Sequence, residues 1–337
     1  MERIVWIDYA KALGIYLVIL AHTQIEASVT NWISVFRMPL FFFLSGYLFS
    51  FERNKDSGVF VKKRFRQIVV PYIWLNIISY VFWFFISRNH GFDDQQAIAW
   101  YEPLVAALFC NGKGMIHNVP LWFFLCLFIV EMVFYFLFRP MRRPWRYVAA
   151  GVFALLGYVN YRFIPIVLPF SIGTALVGIA FYFLGNEVRW LGEKSEMKGW
   201  KNGTTVLLSF AIVTLSAIYN DRVYLYCNQY GNYLVFIVAA LCGICMMKGS
   251  CEWLSEKIGR SKTAEYISKN TLLICGFHLM CYTIIKGIAV YIIGLPLDVF
   301  VGSIPVNILL SIGGILMCTP IIYIVNKYFP FLIGKKA

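Results

Sequence analysis

Charged side chains are scarce in this sequence, which excludes an ordinary water-soluble domain. Only 14% of the 337 residues are Asp, Glu, Lys or Arg, whereas 60% are hydrophobic and the mean hydropathy is +0.69. A soluble domain carries charge on about a quarter of its residues. We therefore expect lipid rather than water to surround most of this chain.

Metal-binding patterns are also missing. Cys242 and Cys245 have the spacing of zinc ligands, but no second pair and no nearby histidine completes a site. Most other cysteines lie inside apolar runs, as small buried side chains do. The sequence predicts no metal cofactor.

Linkers, low-complexity tracts and internal repeats are absent, so we predict one domain over residues 1–337. The first apolar segment is not a cleaved signal peptide, because Asp8 and Lys11 interrupt it. In the long loop 88–118, the apolar content of 97–109 allows a short interfacial or re-entrant segment.

Apolar runs long enough to cross a bilayer are plentiful. They predict an all-α integral membrane protein with about ten transmembrane helices, because helices satisfy their own backbone polar groups in lipid. The predicted spans are 7–22, 32–51, 68–87, 119–138, 146–163, 169–188, 203–220, 231–248, 270–293 and 303–325.

The net charge of +13 is distributed by side of the membrane. With a cytoplasmic N-terminus, the outward loops hold only Arg88, Lys113, Arg162 and Arg222, and all other loop cations face inward. This asymmetry follows the positive-inside rule and predicts that both termini are cytoplasmic. Basic residues between apolar spans indicate orientation, so we expect the lipid bilayer, and no nucleic acid, as a partner.

His22 at the outer end of the first span is a candidate general base. Glu26 follows at i+4, and it would orient the imidazole if the helix continued for another turn. The alternative is that His22 caps the helix at the headgroup level and that Glu26 is a solvated loop acid.

Three further residues are candidates for substrate binding. Arg37 opens the second span, although snorkelling to headgroups explains it almost as well. Ser45, with Gly46, gives a small surface that suits a thin ligand or tight helix packing. Trp122 opens the fourth span and suits either sugar stacking or an aromatic belt.

Two more sites remain open on physical grounds. Lys63, Arg64 and Arg66 precede the third span and suit either cofactor phosphates or a topology signal with anionic lipid. His278, in the ninth span, is a further candidate for substrate binding, although a lone buried histidine serves more often as a helix-to-helix hydrogen bond than in chemistry.

The order of these pieces resembles the acyltransferase-3 family of bacterial membrane O-acyltransferases, particularly its fucose O-acetylase-like branch. The resemblance runs through Arg3, Ile7-Asp8-Tyr9-Ala10-Lys11, Leu20-Ala21-His22, Arg37-Met38-Pro39-Leu40-Phe41-Phe42-Phe43-Leu44-Ser45-Gly46-Tyr47, Lys63-Arg64, Pro71-Tyr72, Pro120-Leu121-Trp122-Phe123, Tyr230-Gly231-Asn232 and Asn270-Thr271-Leu272.

This resemblance implies transfer of an acyl group, usually acetyl from acetyl-CoA, to a hydroxyl of a cell-envelope glycan in the bacterial cytoplasmic membrane. It implies that His22 is the essential base and that Lys63, Arg64 and Arg66 meet the CoA. Arg37 departs from the branch, which often has histidine there. The alternative from another class is a transporter or exporter of a glycan or lipid-linked intermediate, and the sequence does not reveal the oligomeric state.

Overall fold

The computed structural model describes residues 3–90, 97–164, 166–194 and 203–335. These residues form an all-α bundle and include no β-sheet. In chain order the α-helices are α1 (Val5–Leu20), α2 (Ala27–Ser34), α3 (Arg37–Leu48), α4 (Ser57–Arg64), α5 (Val70–Phe82), α6 (Glu102–Leu108), α7 (Trp122–Val133), α8 (Arg143–Phe163), α9 (Ile172–Lys194), α10 (Gly203–Tyr219), α11 (Tyr233–Ile258), α12 (Lys262–Lys269), α13 (Thr271–Gly287) and α14 (Ile304–Tyr328).

Turns of π-helix lengthen several of these helices. They join α4 to α5 and extend the ends of α5, α7 and α13, at Phe65–Val69, Trp83–Ser87, Phe134–Phe138 and Ile288–Ile292. With these turns included, the described residues contain 7 helices long and apolar enough to cross a membrane. The prediction of an all-α membrane protein is therefore confirmed, while the number ten and the sides of the termini stay predictions.

The predicted spans correspond to helices with altered boundaries. The predicted span 32–51 is divided between α2 and α3, and the predicted span 231–248 continues as far as Ile258. The helix of the third predicted span begins earlier than expected, with α4 at Ser57, because the side chain of Asp56 accepts a hydrogen bond from the Val59 amide at 2.8 Å. The apolar segment predicted over 97–109 contains α6.

The outside of the bundle is apolar. Large side chains such as Leu207, Leu234 and Leu316 are 65–74% exposed on α10, α11 and α14. In water such exposure along whole helices would promote aggregation, whereas lipid accommodates it. This distribution is what a multi-pass membrane protein requires.

Helix α1 lies at the centre of the bundle and contacts α3, α11, α12, α13 and α14. Its 16 residues are mostly buried, including Asp8 near its start. The carboxylate of Asp8 accepts two hydrogen bonds from Arg3, at 2.5 and 2.8 Å, and Arg3 also reaches Glu265 at 3.2 Å. These ion pairs fix the start of α1 against α12.

Glycines let α3 and α9 approach unusually closely. A Cβ on Gly46 would overlap the backbone carbonyl of Tyr182, and one on Gly185 would overlap that of Phe43. Such small-residue contacts are how helices pack in membranes, where burial supplies little force between them. Gly46 therefore serves helix packing, which leaves its neighbour Ser45 available for another role.

Candidate active site

A central cavity of about 200 Å³ runs beside α1, between α3, α7 and α13. Lys11 lies at one end of it, and His22, Arg37 and Trp122 lie at the other, which we call the histidine end. Among the described residues, no Asp or Glu lines this cavity. The charged residues that line the cavity are therefore all basic, and its walls are otherwise mainly apolar.

His22 lies in the turn that follows α1. Its amide donates to the Ile19 carbonyl at 3.1 Å, and its half-buried ring faces the cavity. Within the described part of the chain neither ring nitrogen has a hydrogen-bond partner, while the His278 ring lies 5.4 Å away between centroids. The imidazole is thus available to a molecule in the cavity.

Glu26 does not orient His22, and that prediction is wrong. Helix α1 ends at Leu20, so the i+4 geometry on which the pairing depended does not form. Glu26 instead precedes α2 with an exposed side chain that accepts a hydrogen bond from Ser28 at 2.7 Å. It is the solvated loop acid of the alternative interpretation.

Arg37 opens α3 and lines the central cavity close to His22. Its Nη1 atom is buried and, among the described residues, has no hydrogen-bond acceptor. No described carboxylate pairs with this guanidinium either. A buried cation without a partner is costly, so this geometry favours an anionic or strongly polar group supplied by a ligand.

The other two residues predicted to bind substrate, Trp122 and Ser45, line different parts of the cavity. Trp122 is buried at the first turn of α7, where it lines the histidine end, and Ser45 faces the cavity from α3. The loop residues Tyr224 and Tyr226 also line the histidine end, and sequence reasoning missed them. Their aromatic character was visible, but nothing in the sequence places that loop over the end of α1.

His278 was expected to bind substrate, and the structure contradicts this. Its side chain is 0% exposed and does not line the cavity. Its Nδ1 lies 3.1 Å from the Ile274 carbonyl and 2.9 Å from that of Cys275. His278 is therefore a neighbour of His22 on the side away from the cavity.

His117 lies close to the start of α7 but does not line the central cavity. Its Nε2 is 2.9 Å from the Asn76 side-chain oxygen. Burial lowers the pKa of His117 to about 4, so the ring is neutral at physiological pH. This histidine therefore serves packing between α5 and the loop before α7.

A second, basic cavity of about 360 Å³ adjoins the first. Its own lining residues include Arg53, Lys63 and Arg64, and we call this the basic end. Lys11, Ser45, Ile68 and Leu127 line both cavities. Shared walls on α1, α3 and α7 therefore connect the surroundings of His22 to a cluster of cations.

The three predicted cofactor-binding cations are not equivalent. Lys63 is exposed at the basic cavity, whereas Arg64 makes two contacts of 2.9 Å with the buried carboxylate of Glu131. Arg66 does not line this cavity, because it faces an open groove together with Lys62. Arg66 is therefore separated from the other two cations and its role stays a prediction, while the charge of Arg64 is largely neutralised by Glu131.

The geometry thus places His22 and an unpaired guanidinium in one cavity, and a cluster of cations in a second cavity that shares four lining residues with the first. A family model described as an acyltransferase domain matches residues 4–326. The chain belongs to the acyltransferase-3 family. This confirms the predicted family and makes the protein a multi-pass membrane acyltransferase, while the fucose O-acetylase-like branch stays a prediction. No curated protein and no solved structure gave a significant match to this acyltransferase-3 chain.

Proposed function

We propose that this protein transfers an acetyl or similar short acyl group from acyl-CoA to a hydroxyl of a cell-envelope glycan, in the bacterial cytoplasmic membrane. The observation that carries the proposal is the pair of adjoining cavities, which link His22 to exposed cations through shared walls. No metal is required in this scheme.

The basic cavity suits the charged part of an acyl-CoA. Lys63 and Lys11 line it and, among the described residues, neither ammonium group has a carboxylate partner. Phosphates are held well by such cations. The region bounded by Ser45, Ile68 and Leu127, which both cavities share, then suits the thin pantetheine arm, which would carry the thioester toward the histidine end.

The histidine end suits an acceptor with hydroxyl groups. Trp122 and Tyr226 offer aromatic surfaces for a sugar ring, and Arg37 offers an unpaired guanidinium. Because no described Asp or Glu lines the cavity, a neutral or anionic acceptor fits better than a cationic one.

His22 supplies the base that the reaction needs. As the acceptor oxygen attacks the acyl carbon, His22 takes its proton, the new carbon–oxygen bond forms and the carbon–sulfur bond breaks. The departing thiolate then recovers a proton from the imidazolium. A positioned base contributes roughly 10²–10⁴-fold to such a step, and Arg37 is placed to stabilise the oxyanion.

Mass spectrometry of envelope glycans, from cells with and without this protein, tests the proposal. We expect one glycan class to lose a single acyl mass when the protein is absent, which would also identify donor group and acceptor. Unchanged acylation of every glycan class, with a change only in where a glycan is found, would instead support the transporter alternative. Membership of an acyltransferase family makes acyl transfer the activity to test first.

A further inference from the structure

His278 has one ring nitrogen held by the backbone and one without a partner. Its Nδ1 lies near the carbonyls of Ile274 and Cys275, which only accept, so Nδ1 carries the proton. Nε2 therefore presents a lone pair. It is buried and, in the described part of the chain, receives no hydrogen bond. A buried acceptor left in this way destabilises the folded protein.

Two described aromatic side chains that carry a hydrogen-bond donor lie against His278. The Tyr282 ring lies 5.6 Å away between centroids, but its hydroxyl already donates to the Ile19 carbonyl at 2.9 Å. The His22 ring lies 5.4 Å away between centroids, with the ring planes 48° apart, and its nitrogens have no described partner. The two imidazoles are thus neighbours.

We propose that His278 is a positioning residue: when the His22 ring turns toward it, Nε2 of His278 accepts a hydrogen bond from one N–H of His22. The second nitrogen of His22 then presents its lone pair to the central cavity. This inference rests on the proposed function, in which His22 is the base. His278 would select the His22 tautomer, as a carboxylate does in many enzymes, but without adding charge to the membrane interior. No proton passes to His278 itself.

Two substitutions separate this role from simple packing. In His278→Asn the amide nitrogen replaces Nδ1 and keeps the backbone contacts, but no acceptor reaches the position of Nε2. In His278→Gln the amide oxygen reaches that position instead. We expect His278→Asn to lower kcat about 10- to 100-fold, with an unchanged KM for acetyl-CoA. His278→Gln should keep a substantial part of kcat.

The rate to measure is transfer of labelled acetyl from acetyl-CoA into the glycans of membrane vesicles that contain the protein. A packing role predicts the opposite order, with Asn active and Gln impaired, and that order would overturn the inference. Equal losses in both variants would overturn it too. A wild-type protein that transfers no acetyl group would reject the proposed function instead, so the two failures are distinct.

A measurement on the unaltered protein removes any dependence on how the variants fold. The chain contains only four histidines, so nitrogen-15 NMR of histidine-labelled protein resolves their tautomers. We expect His278 to carry its proton on Nδ1 and to show a hydrogen-bonded, unprotonated Nε2. An Nε2–H tautomer at His278 would overturn the inference.

Discussion

His22 and Arg37, at the histidine end, differ in the charges of the groups around them. His22 is half-buried beside a neutral, backbone-held imidazole, while Arg37 carries a guanidinium that no described carboxylate neutralises. A permanent cation there disfavours a second positive charge until negative charge develops on a substrate. The pair is therefore better suited to a reaction that creates an oxyanion than to passive binding.

The residue that tests this arrangement is His22. We expect His22→Ala to abolish acetyl transfer while the protein still inserts and folds, because the substitution removes only the proton acceptor. The loss should be at least roughly 10²-fold, the lower bound for general-base catalysis. Labelled acetyl transfer in vesicles measures it.

His90 supplies a matched control, since it is an exposed histidine that lines neither cavity. His90→Ala should leave the rate unchanged. Transfer at the wild-type rate in His22→Ala would remove the proposed base.

For single residues, the sequence predicted where a side chain lies better than it predicted which other side chain it contacts. His22 was placed correctly at the end of the first helix, because apolar runs mark helix ends within a few residues. Its supposed partner Glu26 failed, because the pairing required one more turn of helix than the chain forms. The contact with His278 joins distant parts of the chain, and no local spacing encodes such a contact.

The helical segment from α4 to α5 determines which basic side chains line the basic cavity. Lys62 and Lys63 are consecutive, so their side chains leave the helix about 100° apart. Lys63 faces the basic cavity, and Lys62 faces the open groove that Arg66 shares. The sequence showed a single run of basic residues, whereas the helix sorts that run onto two faces.

This sorting gives a matched pair of substitutions. Lys63→Gln should raise the KM for acetyl-CoA roughly tenfold, because a hydrogen bond to a charged group contributes about 1.5–3 kcal/mol. Lys62→Gln changes the net charge equally and should leave KM unaltered. Initial rates at varied acetyl-CoA measure both, and equal effects would assign these cations to orientation or lipid binding alone.

The contact between α4 and α7 concerns stability. Arg64→Gln would leave the buried carboxylate of Glu131 without its partner, which costs about 3–5 kcal/mol in a buried pair. We expect a marked fall in the thermal unfolding temperature in detergent. The double variant Arg64→Gln with Glu131→Gln removes both charges and should recover much of that loss. If Arg64→Gln alone unfolds like the wild type, the ion pair is not structural.

The helix boundaries show which features of the sequence are enough to predict where a helix begins and ends, and which are not. The fourth predicted span, 119–138, coincides with a helix of the structure, and the ninth differs from its helix by one residue at each end. The division of the second span into α2 and α3 was missed, because the break at 35–36 lies within apolar residues and carries no Gly or Pro. Tertiary packing, rather than local propensity, sets that break.

The whole molecule presents two ends of different chemistry, joined by the adjoining cavities. Lys63 and Arg53 lie at the basic end, while Trp122 and Tyr226 lie at the histidine end. If the basic end is cytoplasmic, as the distribution of Lys and Arg predicts, the donor enters from the cytoplasm and the acceptor from outside. The bilayer then separates the two substrates until both reach His22.

Sealed vesicles test this separation, because acetyl-CoA is too highly charged to cross a bilayer unaided. Inverted vesicles expose the cytoplasmic face, so labelled acetyl-CoA added to them should support transfer, whereas right-side-out vesicles should show almost none. Permeabilising both preparations with mild detergent should bring their rates together, which controls for the amount of active protein. Equal rates in intact vesicles of both orientations would mean that the donor reaches His22 without passing the basic end, and Lys63 would then lose its proposed role.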